Sequence, residues 1–451
     1  MTPRDLVRLL PIFLGTAIVP LDSSVNVAFP AIVVAFGLEV AAIQWIPICY
    51  VLTYGSLMLA VGRIGDIFGH ARVFRIGLAW SAVALALCAL APTYGALLGA
   101  RVLQGIGAAL AIGCGPALAA NLFPEGMRVK ALAAYATGFA AAQASGPLLG
   151  GVLVQAMDWQ GVYWFRVPLA LAALWLARGL PAAPVAKARE PFDAAGAVLL
   201  TTTVATALLA VNRAPAPVAL LLAVIAVGSL AGFLWRSGRA ARPIIDLGLF
   251  RRPGFAALNL ANAMVNFAAF AVMLVGPFYL VRVAGLSALA LGVMLAASHG
   301  GAVLGASLGG WAVPRFGARD VVLTGAALTA AGLLGVATWG ATTPLPILMG
   351  TLAVQGIGTG LFTLAYTDAV TATMRREDRG VAGSLTTLTR TLGVVAAASL
   401  LTLLLGVREA AFVAGGAAPT AAFLAAYREV FLVAAALALL VLLVLRLRPR
   451  A

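Results

Sequence analysis

Residues 9–37 read LLPIFLGTAIVPLDSSVNVAFPAIVVAFG and form one apolar stretch with a single charged residue, Asp22. A helix of about 20 apolar residues spans the hydrocarbon core of a bilayer, so Asp22 would lie near the middle of a membrane span. An aspartate at that depth costs about 2.5–3.5 kcal/mol on insertion scales and usually faces a partner or a water-filled cavity. We therefore expect Asp22 to handle protons or ligand. The alternative is a structural carboxylate held by an arginine or by backbone groups.

The composition of the whole chain is that of a membrane protein. Of its 451 residues, 63% are hydrophobic and 10% are charged, whereas about a quarter of the residues of a soluble domain are charged. Breaks rich in Gly, Pro and charge separate fourteen apolar runs that are long enough to span a bilayer, at residues 9–31, 41–61, 73–91, 95–120, 131–156, 162–180, 194–212, 217–235, 257–281, 289–312, 320–340, 345–370, 381–406 and 424–445. These runs predict an all-α polytopic membrane protein with fourteen transmembrane helices.

The net charge of +15 does not indicate nucleic-acid binding, because the basic residues stand between apolar runs instead of forming one patch. Most of the 30 Lys and Arg residues lie in segments that are cytoplasmic if the N-terminus is inside. The outer ends of the runs carry only Arg213, Arg282, Arg408 and Arg428. Since cytoplasmic loops are enriched in Lys and Arg, this asymmetry predicts that both termini are cytoplasmic.

Cysteine and lysine usage excludes several classes of protein. Cys49, Cys88 and Cys114 all lie in apolar runs, so we interpret them as core residues and not as a disulfide framework or a metal site. The two lysines, Lys130 and Lys187, lie outside any G-x-x-x-x-G-K-[ST] phosphate-binding loop, which excludes an ATP-driven engine in this chain. We expect no cofactor and no metal, and we predict that the protein is not an enzyme.

Two sequence patterns occur twice, at offsets of 251 and 248 residues. The sequence QGIG of residues 104–107 returns at residues 355–358, and the second pattern returns as four matched pairs, Gly62 and Gly310, Phe68 and Phe316, Gly69 and Gly317, and Gly77 and Gly325. Both offsets correspond to eight runs, so runs 1–6 and 9–14 form two related halves.

The repeat predicts three parts of the chain. They are an N-terminal six-helix bundle at residues 1–180, a linker with inserted helices 7 and 8 at residues 181–236, and a C-terminal six-helix bundle at residues 237–451. Parallel six-helix repeats are used by one class of transporters for alternating access, with the binding site near the bilayer midplane where the halves meet.

Five segments carry recognisable motifs: residues 21–30 (LDSSVNVAFP), 62–72 (GRIGDIFGHAR), 101–107 (RVLQGIG), 145–151 (SGPLLGG) and 243–250 (PIIDLGLF). In the same order, they resemble five motifs of one transporter family: the helix 1 motif, the loop between helices 2 and 3, the helix 4 motif with its proton-coupling arginine, the end of the helix 5 antiporter motif and the segment before helix 9. Taken together, these segments resemble the major facilitator superfamily, specifically its fourteen-helix drug:proton antiporters. The resemblance implies that superfamily's fold, with two six-helix bundles plus two inserted helices, in a monomer.

Three positions depart from the family pattern. Ala142 stands where the helix 5 motif has a glycine, and Arg166 stands where the family usually carries an asparagine. In the second copy of the 62–72 segment, Pro314 takes the place of Asp66, so the second copy lacks this acidic group.

The resemblance and the chemistry of the side chains together suggest roles for the motif residues. A buried Arg101 would need a carboxylate, carbonyls or water, because a guanidinium does not deprotonate. We expect Asp22 to alternate between a proton and Arg101, with a purely structural pair as the alternative. Asp66 would pair with Arg72 or cap a neighbouring helix and so gate the inner face, the alternative being a static solvated loop. The residues of this predicted gate are Gly62, Arg63, Asp66, Gly69 and Arg72.

Two further groups of candidates remain. The helix 5 motif predicts a bendable helix, with plain packing as the alternative, and its residues are Gly146, Pro147 and Gly150. The candidates for a substrate or proton cavity are Asn26, Gln104, Arg166, His299, Arg390 and Asp368. The alternatives are a satisfied packing histidine for His299, an anchor at the outer interface for Arg166, and a capping or loop-anchoring role for Asp368.

The leading functional hypothesis is a proton-coupled antiporter that exports small amphipathic drugs or metabolites across the bacterial cytoplasmic membrane. The proton gradient would supply the energy, and the lipid bilayer and the transported molecule would be the partners. Span 10 contains no carboxylate, which favours neutral, zwitterionic or anionic substrates. The alternatives are a dedicated metabolite exporter or a proton symporter and, from another class, a non-transporting receptor or scaffold.

Overall fold

The computed structural model describes residues 3–181, 193–211, 216–240, 247–251, 254–372 and 379–446. Within these ranges the chain is helical and forms no strand, which confirms the predicted all-α class. The helices are α1 (Pro3–Ala17), α2 (Val25–Phe36), α3 (Trp45–Phe68), α4 (His70–Ala89), α5 (Tyr94–Asn121), α6 (Arg128–Met157), α7 (Gly161–Trp164), α8 (Arg166–Leu176), α9 (Ala194–Val211), α10 (Ala216–Ser237), α11 (Phe255–Arg282), α12 (Ala288–Phe316), α13 (Ala318–Ala337), α14 (Leu345–Ala372), α15 (Arg379–Ala414) and α16 (Pro419–Arg446).

The predicted count of fourteen spans is not confirmed by the lengths of the helices. In the described part of the chain, 11 helices are long and apolar enough to cross a membrane, or 12 if the bent pair α1–α2 counts as one span. Each of the fourteen runs overlaps a helix, but two runs fold as shorter pieces. Run 162–180 divides into α7 and α8, and the apolar part of α9 covers only Ala194–Ala207.

The first span is broken close to Asp22. Proline lacks an N–H and its ring clashes with the carbonyl four residues earlier, so α1 cannot continue regularly through Pro20. The chain instead forms a 3-10 turn at Pro20–Ser24 before α2 begins, and the two helical pieces meet at 43°. Asp22 therefore lies on an irregular turn and not inside a regular helix.

Two glycines make the sharp turns between neighbouring helices. Gly69 separates α3 from α4 with φ of 87°, and Gly317 separates α12 from α13 with φ of 82°. Side chains other than glycine rarely adopt such positive φ angles. These two glycines are equivalent positions of the sequence repeat, so the repeat extends to the backbone conformation.

The chain divides into two compact units. The first comprises Met1–Gly37, Trp45–Thr202 and Ser229–Ile244, and the second comprises Leu38–Gln44, Thr203–Gly228 and Ile245–Ala451. In the first unit α5 packs on α3 and α4, and in the second unit the repeat-equivalent α14 packs on α12 and α13. The predicted boundaries near residues 180 and 236 remain a prediction. Residues 182–192, which connect the first six-helix bundle to the inserted helices, lie outside the described residues.

A close helix contact at a glycine of the first unit has an equivalent in the second unit. A Cβ added at Gly105 of α5 would lie 2.9 Å from the carbonyl oxygen of Tyr50, and one added at Gly356 of α14 would overlap the carbonyl oxygen of Ser298. Tyr50 and Ser298 are themselves 248 residues apart, the offset of the second sequence pattern. The same close helix contact is thus built twice, which supports the interpretation of the halves as repeats.

Candidate functional site

The carboxylate of Asp22 forms an ion pair with Arg101. Arg101 lies on α5, and its Nη1 and Nη2 donate to Oδ1 and Oδ2 of Asp22, each at 2.7 Å. Two parallel hydrogen bonds from one guanidinium to one carboxylate form the strongest common type of side-chain pair. The contact that the sequence analysis expected is therefore present in the structure.

Arg166 is a second counter-ion of the same carboxylate. Its Nη1 donates to Oδ1 of Asp22 at 2.7 Å, and its side chain is fully buried. Its Nε donates to the carbonyl of Val162 at 2.9 Å, and its Nη1 lies 3.5 Å from the carbonyl of Ile18 at the break between α1 and α2. The burial of Arg166 excludes the alternative of an anchor at the outer interface.

Gln104 connects the carboxylate of Asp22 and the guanidinium of Arg101. Its Nε2 donates to Oδ1 of Asp22 at 3.1 Å, while its Oε1 accepts from Nη1 of Arg101 at 2.6 Å. The thiol of Cys88 lies 3.6 Å from the same Oε1. Of the predicted cavity residues, Gln104 and Arg166 thus join Asp22 and Arg101 in one group, which we call the Asp22 cluster.

Two tyrosines that the sequence analysis did not select complete the Asp22 cluster. The guanidinium carbon of Arg101 lies 4.2 Å from the centroid of the Tyr50 ring. The centroid of the Tyr163 ring lies 5.9 Å from the guanidinium carbon of Arg101 and 5.5 Å from the guanidinium carbon of Arg166. Both rings stand within reach of a cation–π interaction. An aromatic residue in an apolar run looks like any membrane residue, so only the fold could identify these two.

The Asp22 cluster holds two guanidiniums and one carboxylate, so it carries a net positive charge while Asp22 is ionised. The side chains of Arg101 and Arg166 are 1% and 0% exposed, whereas that of Asp22 is 14% exposed. Among the arginines and tyrosines of the cluster, three buried polar atoms make no hydrogen bond in the described part of the chain: Nη2 of Arg166 and the hydroxyls of Tyr50 and Tyr163. Because a guanidinium does not release its proton, Asp22 is the member of the ion-paired group that can exchange one.

The helix 5 motif packs directly on the turn that carries Asp22. A Cβ added at Gly150 of α6 would lie 2.7 Å from the carbonyl oxygen of Ser24, and one added at Gly146 would overlap the Ser23 hydroxyl. The Ser23 hydroxyl donates to the carbonyl of Gln143 at 3.1 Å. The glycines therefore let α6 approach the Pro20–Ser24 turn closely, and Pro147 lies between them inside the helix.

The predicted gate is helical for most of its length. α3 continues to Phe68, so the turn between α3 and α4 is reduced to Gly69. Asp66 contacts His70, with Oδ1 and Nε2 3.1 Å apart, and this histidine was not among the predicted gate residues. Arg72 is exposed on α4, and the surroundings of Gly62 and Arg63 are not among the described features.

The other predicted cavity residues do not join the Asp22 cluster. Asn26 is half-buried on α2. His299 is half-buried on α12 with Nδ1 3.2 Å from the carbonyl of Leu295, Arg390 is half-buried on α15, and Asp368 is exposed on α14. The last three lie in the second unit. Among the described residues no group of His, Cys, Asp and Glu is arranged to hold a metal ion.

Comparison with known proteins gives consistent matches along the chain. The sequence model of the Major Facilitator Superfamily matches residues 12–398 and, in a second match, residues 258–451. The Tetracenomycin C resistance and export protein of Streptomyces glaucescens is 32% identical over 386 residues, which cover 84% of this chain and 71% of that protein. The Multidrug efflux pump LfrA of Mycolicibacterium smegmatis is 30% identical over 406 residues, covering 87% and 79%. The Riboflavin transporter RibZ of Clostridioides difficile is 26% identical over 386 residues, covering 85% and 84%.

Solved structures of low sequence identity share the fold. An auto-inhibited POT family peptide transporter superposes with a TM-score of 0.73 at 16% identity, over 100% of this chain and 98% of the other. A bacterial homolog of the human lysosomal transporter Spinster superposes with a TM-score of 0.71 at 17% identity, over 99% and 96%. Together with the sequence matches, these likenesses confirm the predicted fold class and the expectation that the protein is a transporter and not an enzyme. The chain belongs to the Major Facilitator Superfamily, as a multi-pass membrane transporter whose relatives include drug exporters.

Proposed function

We propose that this protein exports small amphipathic molecules across the bacterial cytoplasmic membrane in exchange for protons. The observation that carries the proposal is the Asp22 carboxylate, which two buried arginines hold although it is the most accessible of the three groups. The names of the relatives supply the direction of transport, since one exports tetracenomycin C and another is a multidrug efflux pump. The protein works as a monomer without a cofactor, and both termini face the cytoplasm.

Proton binding at Asp22 changes how three parts of the first unit are held together. The ionised carboxylate joins the Pro20–Ser24 turn to α5 through Arg101 and to α8 through Arg166. A protonated carboxyl loses the charge that both guanidiniums compensate, and breaking a buried ion pair costs about 3–5 kcal/mol. Protonation therefore releases the turn from both helices. A proton then favours one conformation and its release favours the other, as exchange transport needs.

The inner end of α3 acts as the gate in this proposal. The Asp66–His70 contact bridges the two helices across the single-residue turn at Gly69. A short, glycine-defined turn with one polar bridge can switch between two arrangements without unfolding either helix. Gly146 and Gly150 of α6 transmit the movement because they pack on the Asp22 turn, and Pro147 lies between them in the same helix.

The charge of the Asp22 cluster also bears on the substrates. A buried group with a net positive charge repels cations, so we propose neutral, zwitterionic or anionic substrates. A dedicated metabolite exporter is the second candidate, and the likeness to a riboflavin transporter favours it. A broad compound panel separates the two, because a multidrug exporter lowers the accumulation of several unrelated compounds.

Transport by the purified protein in liposomes tests the proposal. With an imposed pH gradient we expect efflux of at least one fluorescent compound of the panel, and a protonophore should abolish it. Asp22→Asn should remove the gradient-driven part while ligand binding and expression remain, because an amide does not take up a proton. Asp320→Asn, which alters an exposed aspartate in the first turn of α13, is the matched control and should keep the gradient-driven transport. Full retention of gradient-driven transport by Asp22→Asn, or no transport of any compound by the wild type, contradicts the proposal.

A further inference from the structure

We propose that Arg166 is a functional second counter-ion of Asp22, which lowers the pH at which the transporter takes up its coupling proton. The inference rests on the proposed function and deepens it, because it assigns the pH range of the coupling site to a residue outside the helix 1 and helix 4 motifs.

Arg166 holds one oxygen of the carboxylate as closely as Arg101 does. Nη1 of Arg166 and Nη1 of Arg101 both lie 2.7 Å from Oδ1 of Asp22, and both guanidiniums are buried. An opposite charge at this distance favours the ionised form of a carboxyl group. Two such charges therefore keep Asp22 ionised at proton concentrations that would neutralise an aspartate with one counter-ion.

Helix packing alone does not explain an arginine at this position. Apart from Asp22, its hydrogen-bond partners are the carbonyls of Val162 and Ile18, and its Nη2 makes no hydrogen bond among the described residues. Its guanidinium carbon also lies 5.5 Å from the centroid of the Tyr163 ring, a contact that again favours a positive charge. Burying a guanidinium costs several kcal/mol, which carbonyl contacts offset only in part. An uncharged polar residue such as asparagine could meet the same carbonyls at lower cost. The charge itself is thus the property that the carboxylate needs.

The titratable groups around Asp22 other than its two arginines do not carry a positive charge. In the part of the chain that the structure describes, the titratable and charged side chains that face Asp22 or its arginines are Arg101, Arg166, Cys49, Cys88, Tyr50 and Tyr163. Thiols and phenols are neutral near pH 7, so among these described side chains only the two arginines act on Asp22 as charges. The stretch of α6 that packs on the turn, residues 143–150, contains no charged residue. Replacement of Arg166 by a neutral residue therefore removes one of two compensating charges.

The test measures protonation of Asp22 directly and transport separately. Infrared difference spectra of the protein in liposomes, recorded against pH, report the protonated-carboxyl stretch, and the part of that signal that Asp22→Asn removes belongs to Asp22. We expect Arg166→Gln to shift the pH midpoint of this signal upward by about 1–3 units. The pH profile of gradient-driven transport should move in the same direction. Arg166→Lys keeps the charge and should leave the midpoint near that of the wild type.

The outcomes distinguish this inference from the proposed function. An unchanged midpoint in folded Arg166→Gln overturns the inference, as does an equal shift in Arg166→Lys, because the charge would then not be the cause. A wild type without any Asp22-dependent carboxyl signal contradicts the proposed coupling site itself. If Arg166→Gln does not fold, Arg166→Asn takes its place, since asparagine is the residue that the family usually has at this position, and the same criteria apply.

Discussion

Gln104 determines how Asp22 and Arg101 face each other. A carboxamide can donate and accept at the same time, and Gln104 uses its Nε2 on Asp22 and its Oε1 on Arg101. The amide therefore fixes the position of both members of the ion pair. The side chain of its repeat equivalent, Gln355, bonds two neutral groups: Ser298 donates to its Oε1 at 2.7 Å, and its Nε2 donates to Thr359 at 2.9 Å.

Gln104→Leu should destabilise the protein more than Gln355→Leu does. Hydrogen bonds to charged groups contribute about 1.5–3 kcal/mol each, and neutral ones contribute about 0.5–1.5 kcal/mol. Thermal unfolding of the two variants in the same detergent gives the comparison. Gln104→Leu should also alter the pH profile of transport, whereas Gln355→Leu should not. Equal losses of stability with an unchanged pH profile would show that Gln104 only packs.

At the scale of single residues, the sequence indicates charges but not distances. Asp22 and Arg101 stand out because a charge inside an apolar run is rare, and their contact could be predicted as a hypothesis. Arg166 was one of six cavity candidates, and nothing in the chain order indicates that α8 brings it to Asp22. Tyr50 and Tyr163 carry no charge, so hydropathy does not separate them from lipid-facing aromatic residues.

The contact between α12 and α14 is the clearest case of packing that depends on glycine. A Cβ added at Gly356 or Gly360 of α14 would overlap a carbonyl oxygen of α12, at Ser298 or Ala302. Small residues let two transmembrane backbones approach closely, which replaces the hydrophobic driving force that lipid does not supply. Gly350, on the same helix, has nothing within 4 Å of an added Cβ.

Gly360→Ala should therefore destabilise the protein, whereas Gly350→Ala should not. Overpacking costs about 1–3 kcal/mol, while replacing an unconstrained helical glycine by alanine gains about 0.5–1 kcal/mol. The midpoint of thermal aggregation, followed by size-exclusion chromatography in detergent, should fall for the first variant and stay or rise for the second. If both variants behave alike, close backbone contact does not hold these helices together.

At the scale of elements, the sequence predicts where helices lie better than where they end. All fourteen predicted runs overlap helices, since apolar length is a strong signal. The predicted loop at residues 62–72 instead comprises the end of α3, the turn at Gly69 and the start of α4, because helices can continue past the membrane into polar sequence that hydropathy counts as a break. Run 162–180 conceals the boundary between α7 and α8, since a single residue, Phe165, separates the two helices.

The two repeats of the molecule share their packing but not their charges. Leu352 stands at the repeat equivalent of Arg101 and is buried. Among the described residues of the second unit, no charged side chain is buried, and its buried polar groups are neutral amides and hydroxyls. The sequence repeat predicted the shared packing, whereas the difference in chemistry follows from the positions at which the copies diverge. Proton exchange is thus confined to the first unit in the function that we propose.

The excess guanidinium has an electrical consequence. A simple arginine–aspartate pair is neutral until it takes up a proton, but the Asp22 cluster is charged both before and after proton binding. An elementary charge that crosses the membrane field gains or loses about 2.3 kcal/mol per 100 mV. Membrane voltage therefore acts on both halves of the cycle, and a potential imposed at equal pH on the two sides should change the transport rate. Arg166→Gln should weaken this voltage dependence in liposomes held at a fixed potassium diffusion potential, and an unaltered dependence would place the voltage-sensitive charge elsewhere.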